Sequence, residues 1–188
     1  KMNNLFDDDL ILIEPEHRYQ LKSDPDFQFK SVTTLADEYF EPFDSIAIAS
    51  NLVATNVKYM GMEVNELIEK WDAARDFGTR VHSEIELYLN DQISPDTTEA
   101  VAAIDWLNKY KMKSEITVYS EVRIFSKELK LAGTIDIIAH DKSNDVYEII
   151  DWKTSKSIDT QSYRGKMGTH PITSHLMDCN FVHYSLQL

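Results

Sequence analysis

With 188 residues, 43% of them hydrophobic, the chain is long enough to bury one sizeable core and too short for more than one domain with a small appendage. A single cysteine excludes an internal disulfide, and the absence of any run of ~18 apolar residues excludes a membrane span. The balance of 19 Lys and Arg against 32 Asp and Glu, net −13, argues against tight non-specific binding to nucleic acid, because phosphate-binding surfaces are usually basic.

The charge is unevenly spread. Residues 1–45 carry eleven acidic side chains against four basic ones, whereas from Asp151 onward Lys153, Lys156, Arg164 and Lys166 outnumber Asp151, Asp159 and Asp178. A local basic patch is therefore compatible with the acidic total, and divalent cations would neutralise an acidic cleft. No charged-then-apolar leader opens the chain, so a soluble protein in a reducing, intracellular setting is expected: cytoplasm, nucleoid or a virus-infected host cell, with the mitochondrion left open.

In chain order, Leu10–Ile13 and Phe27–Val32 read as short strands joined by a polar turn containing Ser23, Asp24 and Pro25. Thr33 or Thr34 can cap a short helix through Tyr39. Phe43-Asp44-Ser45 can open another with Ile46, Ala49, Val53 and Val57 on one face. Residues 1–62 thus read as an accessory layer before a core over 63–188. From Val64 to Asn90 the apolar spacing of Leu67, Ile68, Trp71, Phe77, Val81, Ile85 and Leu89 is helical, with a break or bend expected at Gly78. Thr97 or Thr98 caps the next helix, which buries Val101, Ile104, Trp106 and Leu107 and ends near Lys113. Three strands follow, Ile116–Phe125, Leu129–Ala139 and Val146–Trp152, in an expected antiparallel meander. Residues 155–176 read as loop and Asn180–Leu188 as a helix. That helix stops at the last residue and Lys1 precedes Met2, so a piece of a longer chain is expected.

The chemistry concentrates in Gly133-Thr134-Ile135-Asp136 on one strand and Glu148-Ile149-Ile150-Asp151-Trp152-Lys153-Thr154 on the next. Neighbouring strands can bring Asp136 and Asp151 side by side, and paired carboxylates bind a hard divalent cation. Side chains alternate along a strand, so Asp151 and Lys153 share a face and Lys153 stands beside that cation. There an ammonium can orient water and neutralise charge growing on a phosphate. The plainer alternative is a same-face ion pair on an exposed strand. The buried run Ile149-Ile150 leading into the charges weighs against it, since burying such groups costs several kcal/mol without a compensating partner.

Gly78-Thr79-Arg80-Val81-His82-Ser83-Glu84-Ile85-Glu86 adds a helical His and Glu four residues apart on one face, a spacing that can ligate a metal or make only a local hydrogen bond. Glu121 and Arg123 either line the site or pair with one another. Arg164 and Lys166 can grip phosphate and Tyr163 can stack on an unpaired base, although a solvated loop accounts for them equally. His170, His175, His183 and Cys179 have no zinc-module spacing and read as structural or surface residues.

Taken together, Gly-Thr-Arg-Val-His-x-x-x-Glu, Ser120-Glu121-Val122, Ala132-Gly133-Thr134-Ile135-Asp136, Ile150-Asp151-Trp152-Lys153-Thr154 and Tyr184-Ser185-Leu186-Gln187-Leu188 resemble the RecB-like branch of the PD-(D/E)XK nucleases. That branch includes mitochondrial and phage exonucleases. Ser31-Val32-Thr33-Thr34 looks like an N-terminal element of such enzymes. The resemblance implies an α/β fold with a small mixed sheet flanked by helices, and Mg²⁺ or Mn²⁺, one ion or two, held by His82, Asp136, Asp151 and the carbonyl of Trp152. It implies Lys153 as catalytic lysine and Glu86 as a supporting or second-metal ligand. Gln187 would open a terminal Gln-x-x-x-Tyr motif whose Tyr would fall beyond Leu188. Glu121, Thr154 and Tyr184 are expected to support the site, and Lys156, Tyr163, Arg164 and Lys166 to contact nucleic acid. The expected activity is phosphodiester hydrolysis of DNA to a 5′-phosphate, exonucleolytic or flap-type on single-stranded ends, with a helicase or polymerase as possible partner. Two rival readings stand beside it: a cap-snatching-like RNA endonuclease of a viral polymerase, which Tyr184-x-x-Gln187 disfavours, and a non-catalytic nucleic-acid-binding or assembly module.

Overall fold

The computed structural model of the protein describes residues 7–112 and 115–188. It is mixed α/β, with two small sheets flanked by helices. The first is a hairpin of β1 (Leu10–Ile13) and β2 (Arg18–Leu21), antiparallel with Leu10 opposite Leu21. Strand β2 is absent from the sequence expectations. Only two of its residues, Tyr19 and Leu21, face the core, and a four-residue alternation is easily lost among polar neighbours. The expected strand Phe27–Val32 shrinks to β3 (Lys30–Ser31). Phe27 and Phe29 instead pack through their rings, Phe29 edge-on to Phe125 at 5.6 Å, in a cluster with Leu10, Tyr19, Leu21 and Ala132.

The larger sheet is built round β5 (Leu131–Asp141). Strand β4 (Ile116–Ser126) runs antiparallel along one side of it. The other side is shared: β3 pairs in parallel with Leu131 and Ala132, and β6 (Val146–Ile150) pairs antiparallel with Ile137–Asp141. Among the described residues this leaves Gly133–Asp136 without a ladder partner on that side. The order and antiparallel pairing of the meander are as expected, but β6 stops at Ile150, before Asp151 and Trp152, and the run expected to be buried is not, with Ile149 47% exposed on an edge strand.

Helix α1 (Val32–Asp37) follows β3 directly, capped by the Ser31 hydroxyl rather than by a threonine. It lies close over the sheet, where a Cβ on Gly133 would come 3.3 Å from Val32 Cγ2. Helix α2 (Ser45–Thr55) is capped by Asp44 and buries Ala49. Ile46 is 65% exposed and Val57 lies past the helix end, so the apolar face expected there is narrower. Helix α3 (Val64–Asp91) runs 28 residues through Gly78 without a break. In the interior of a long packed helix a glycine costs only about 1 kcal/mol, too little to interrupt it. Helix α4 (Thr98–Lys111) is capped by Thr97 and buries Ala100, Ile104 and Leu107, while Val101 and Trp106 point largely outward. Its expected end at Lys113 lies outside the described residues. Helix α5 (Asn180–Gln187) packs on α1. No helix among the described residues is long and apolar enough to cross a membrane.

The joint between α3 and α4 rests on Glu84. Its carboxylate accepts from Thr97 N at 2.8 Å, Thr97 Oγ1 at 2.7 Å and Asp96 N at 3.1 Å, and pairs with Arg80 at 2.8 Å. The Thr97 hydroxyl and amide, above all, hold the acid down to about 2 from its ordinary 4.5. A depressed carboxylate stabilises the fold fully above its unfolded value and loses that contribution as the pH falls toward the folded one. Glu84→Gln is therefore expected to lower Tm by a few degrees at pH 7 and to change it little near pH 2. Scanning calorimetry across that range checks it, and an equal loss at both ends would refute the assignment.

Candidate metal and phosphodiester site

Asp136 stands mid-strand on β5. Across from it, Ser120 faces Ile137 and Val122 faces Ile135, so Glu121 occupies the opposing position. The Glu121 backbone turns there to φ 50°, a left-handed conformation that few non-glycine residues adopt, and the ladder skips this one pair. On the other flank Ile150 pairs with Ile137, and the same register continued one step puts Asp151 alongside Asp136. The chain then peels away, and the Trp152 amide donates to Asp136 Oδ2 at 2.8 Å. That hydrogen bond ties the segment after β6 to the Asp136 side chain, beside the stretch of β5 left unpaired between β3 and β6.

Helix α3 supplies the third side. His82 Nδ1 lies 3.4 Å from the same Asp136 oxygen. One turn earlier Gly78 permits the approach, since a Cβ there would sit 3.0 Å from Thr154 Oγ1. The residue expected to break the helix instead brings it against the segment after β6. A glycine on the same helical stripe as His82, four positions before it, is the signal that could have revealed this. The Trp152 side chain anchors the segment from beneath, packing with Val81, Ile85 and Ala100, and edge-on to Trp106 at 5.8 Å.

Lys153 Nζ is 2.6 Å from Asp151 Oδ2 and 4.7 Å from the centre of the Tyr184 ring on α5. Asp151 and Lys153 thus share a side as alternation predicts, though on an extended segment beyond the strand rather than on β6 itself. Their side chains are only 26% and 25% exposed, so this is not a fully solvated surface pair.

Three carboxyl groups and an imidazole converge electrostatically. Burial first, then the charges of Asp136 and Glu86, push Glu121 up to about 7, with His82 and Arg123 opposing. The hydrogen bond to Asp136 raises His82 above its ordinary 6.5 against the opposing effect of burial, so the imidazolium is favoured. Arg123 donates to the Leu10 carbonyl at 3.4 Å. Among the described residues no three or more His, Cys, Asp or Glu side chains are arranged to hold a metal ion as they stand. His82 and Asp136 are engaged with each other, and Asp151 with Lys153.

Because Glu121 is raised, folding favours its neutral form: the cost of its charge is absent below about 4.5, grows as pH rises, and is complete above about 7. Glu121→Gln is expected to raise Tm of metal-free protein at pH 8 and to leave it unchanged at pH 4. Thermal melts in chelator at both values decide this, and stabilisation at pH 4 alone would reverse the sign.

The remaining candidates lie apart in their interactions. Lys166 pairs with Glu41 at 2.6 Å, which raises its pKa and engages the ammonium expected to grip phosphate. Tyr163 is 59% exposed, and its ring carries the Arg164 guanidinium at 5.0 Å, an internal stack where a base was expected. Lys156 is exposed, and Gln187 closes α5 partly buried. His183 bonds Asp178 at 2.8 Å and stacks on Phe40, and Cys179 is buried, in keeping with structural roles. The chain matches no family model, no curated protein and no solved structure.

Proposed function

We propose that the protein is a Mg²⁺- or Mn²⁺-dependent nuclease of the PD-(D/E)XK type that hydrolyses DNA phosphodiesters, acting on single-stranded or flap ends. The observation that carries this reading is the convergence of Glu121 on β4, Asp136 on β5 and Asp151 just past the end of β6, with His82 on Asp136 and Lys153 on Asp151. The donor set fits a hard divalent ion: carboxylate oxygens with one imidazole and a backbone carbonyl at Trp152. Glu121 is raised first by burial and then by the charges of Asp136 and Glu86, and such an ion would offset that charge. His82, Asp136, Asp151 and the Trp152 carbonyl would hold it, with Glu86 and Glu121 in support. When bound, the ion supplies Lewis acidity toward water and phosphate oxygens.

The chain's own groups do the rest. Lys153 presents an ammonium where charge develops on a phosphate and can orient the attacking water. Trp152, through its amide, keeps Asp136 turned toward the site. His82 in its protonated form lends a second positive charge beside Asp136, and as the neutral base offers Nδ1 as a donor atom.

The test incubates the protein with end-labelled single-stranded, duplex and circular DNA, and with RNA, in Mg²⁺ and Mn²⁺. Digestion of linear but not circular DNA supports exonuclease action, and cutting of RNA alone supports a cap-snatching type of enzyme. Binding without cleavage of any substrate would leave a non-catalytic nucleic-acid-binding module.

A further inference from the structure

The Lys153 side chain ends between two groups of different kinds. Asp151 Oδ2 holds the ammonium from one direction at 2.6 Å, and the face of Tyr184 lies 4.7 Å away on α5. A lysine stem has four rotatable bonds and about 2 kcal/mol of rotamer entropy to lose, so a single ion pair fixes it poorly. An aromatic face adds a second, direction-dependent attraction to a cation and excludes water from one side of it. The ring itself is braced, because Asn180 Nδ2, one turn earlier on α5, donates to the Tyr184 hydroxyl at 3.2 Å. The neighbouring His183 anchors the helix from the other side, through Phe40 at 4.1 Å and Asp178 at 2.8 Å.

We infer that Tyr184 is a positioning residue: its ring, braced by Asn180, holds the Lys153 ammonium against Asp151 and so at the place where a bound phosphate would meet it. The inference rests on the nuclease reading for its consequence in catalysis and on geometry alone for the placement of Lys153. What matters is the aromatic face; the hydroxyl serves only to orient it.

Two measurements separate these. In protein labelled at lysine, with the Lys153 signal assigned by its disappearance in Lys153→Arg, the ε-methylene resonance is expected to be shifted upfield by the ring. The shift should persist in Tyr184→Phe and vanish in Tyr184→Leu. In cleavage assays Tyr184→Leu is expected to lose about tenfold in kcat, or ~1.4 kcal/mol, with KM within about twofold, and Tyr184→Phe to recover most of the rate. Asn180→Ala removes the same hydrogen bond as Tyr184→Phe and should match it in rate and in ring shift, and if Tyr184→Leu does not fold the ring shift in the native protein decides the placement. A Lys153 resonance without a ring shift in the native protein overturns the positioning whatever the activity. Full activity in folded Tyr184→Leu overturns its catalytic consequence. Absence of cleavage by the native protein refutes the nuclease reading, and with it that consequence, while the resonance still decides the placement.

Discussion

Asp136→Asn and Lys153→Ala are each expected to reduce metal-dependent DNA cleavage by about a thousandfold, the scale of removing one group that stabilises transition-state charge in a water-poor site. The two should nevertheless differ in a second readout. Asn at 136 keeps a side-chain oxygen to accept from the Trp152 amide at 2.8 Å, so the segment after β6 stays in place, but the charge shared with His82 is gone. Mn²⁺ binding by calorimetry should therefore weaken sharply. Alanine at 153 removes the ammonium 2.6 Å from Asp151 and releases that carboxylate, so Mn²⁺ binding should be retained or strengthened while cleavage is lost. Cleavage unaffected by either change, or Mn²⁺ binding lost equally in both, would sink the assignment of roles.

Gly168→Ala is expected to destabilise the fold by about 2–3 kcal/mol, with a fall in Tm of about 5–10 °C. A Cβ at 168 would come 2.4 Å from Thr173 Oγ1, 2.5 Å from the Thr173 carbonyl and 2.6 Å from its Cβ, and backbone is among these obstacles. Thr173 is 2% exposed and cannot swing aside: its hydroxyl donates to the Tyr39 carbonyl at 3.0 Å and its amide to His170 at 2.9 Å. Gly168 donates to Leu176 and Thr169 to Tyr39, so yielding at either wall breaks the tie between this loop and the end of α1. Chemical denaturation of the variant measures the effect. A loss below about 0.5 kcal/mol would mean that the loop is freer to adjust than these contacts imply.

Strand alternation and apolar spacing made the meander legible, with Asp136 on β5 and Asp151 one residue past β6, because those signals depend only on periods of two and on where a polar turn falls. The His82 contact was suggested by helical spacing and family resemblance, yet its distance from Asp136 could not be read from the chain, since fifty intervening residues fix no orientation. Gly78 misled because local propensity treats glycine as a breaker, whereas its use here is set by Thr154, distant in sequence and adjacent in space. Strand β2 escaped because its pattern has only two buried members. Lys166 is paired with Glu41, distant in sequence, which nothing local could disclose, whereas the contact of Tyr163 is with its own neighbour Arg164.

The hairpin of β5 and β6 has its closed end at Asp141–Val146 and its open end at Ile137 and Ile150, one residue short of Asp136 and Asp151. In that turn the Asp141 carboxylate accepts from the amides of Ser143 and Asn144, and Asp145 takes φ 53°. Since side chains reverse face with each step of register, one residue gained or lost in this turn would carry Asp151 to the wrong side of the sheet without touching any residue of the site. Loop tips usually tolerate insertions well. This one, though remote from the chemistry, sets the frame in which the two carboxylates are read.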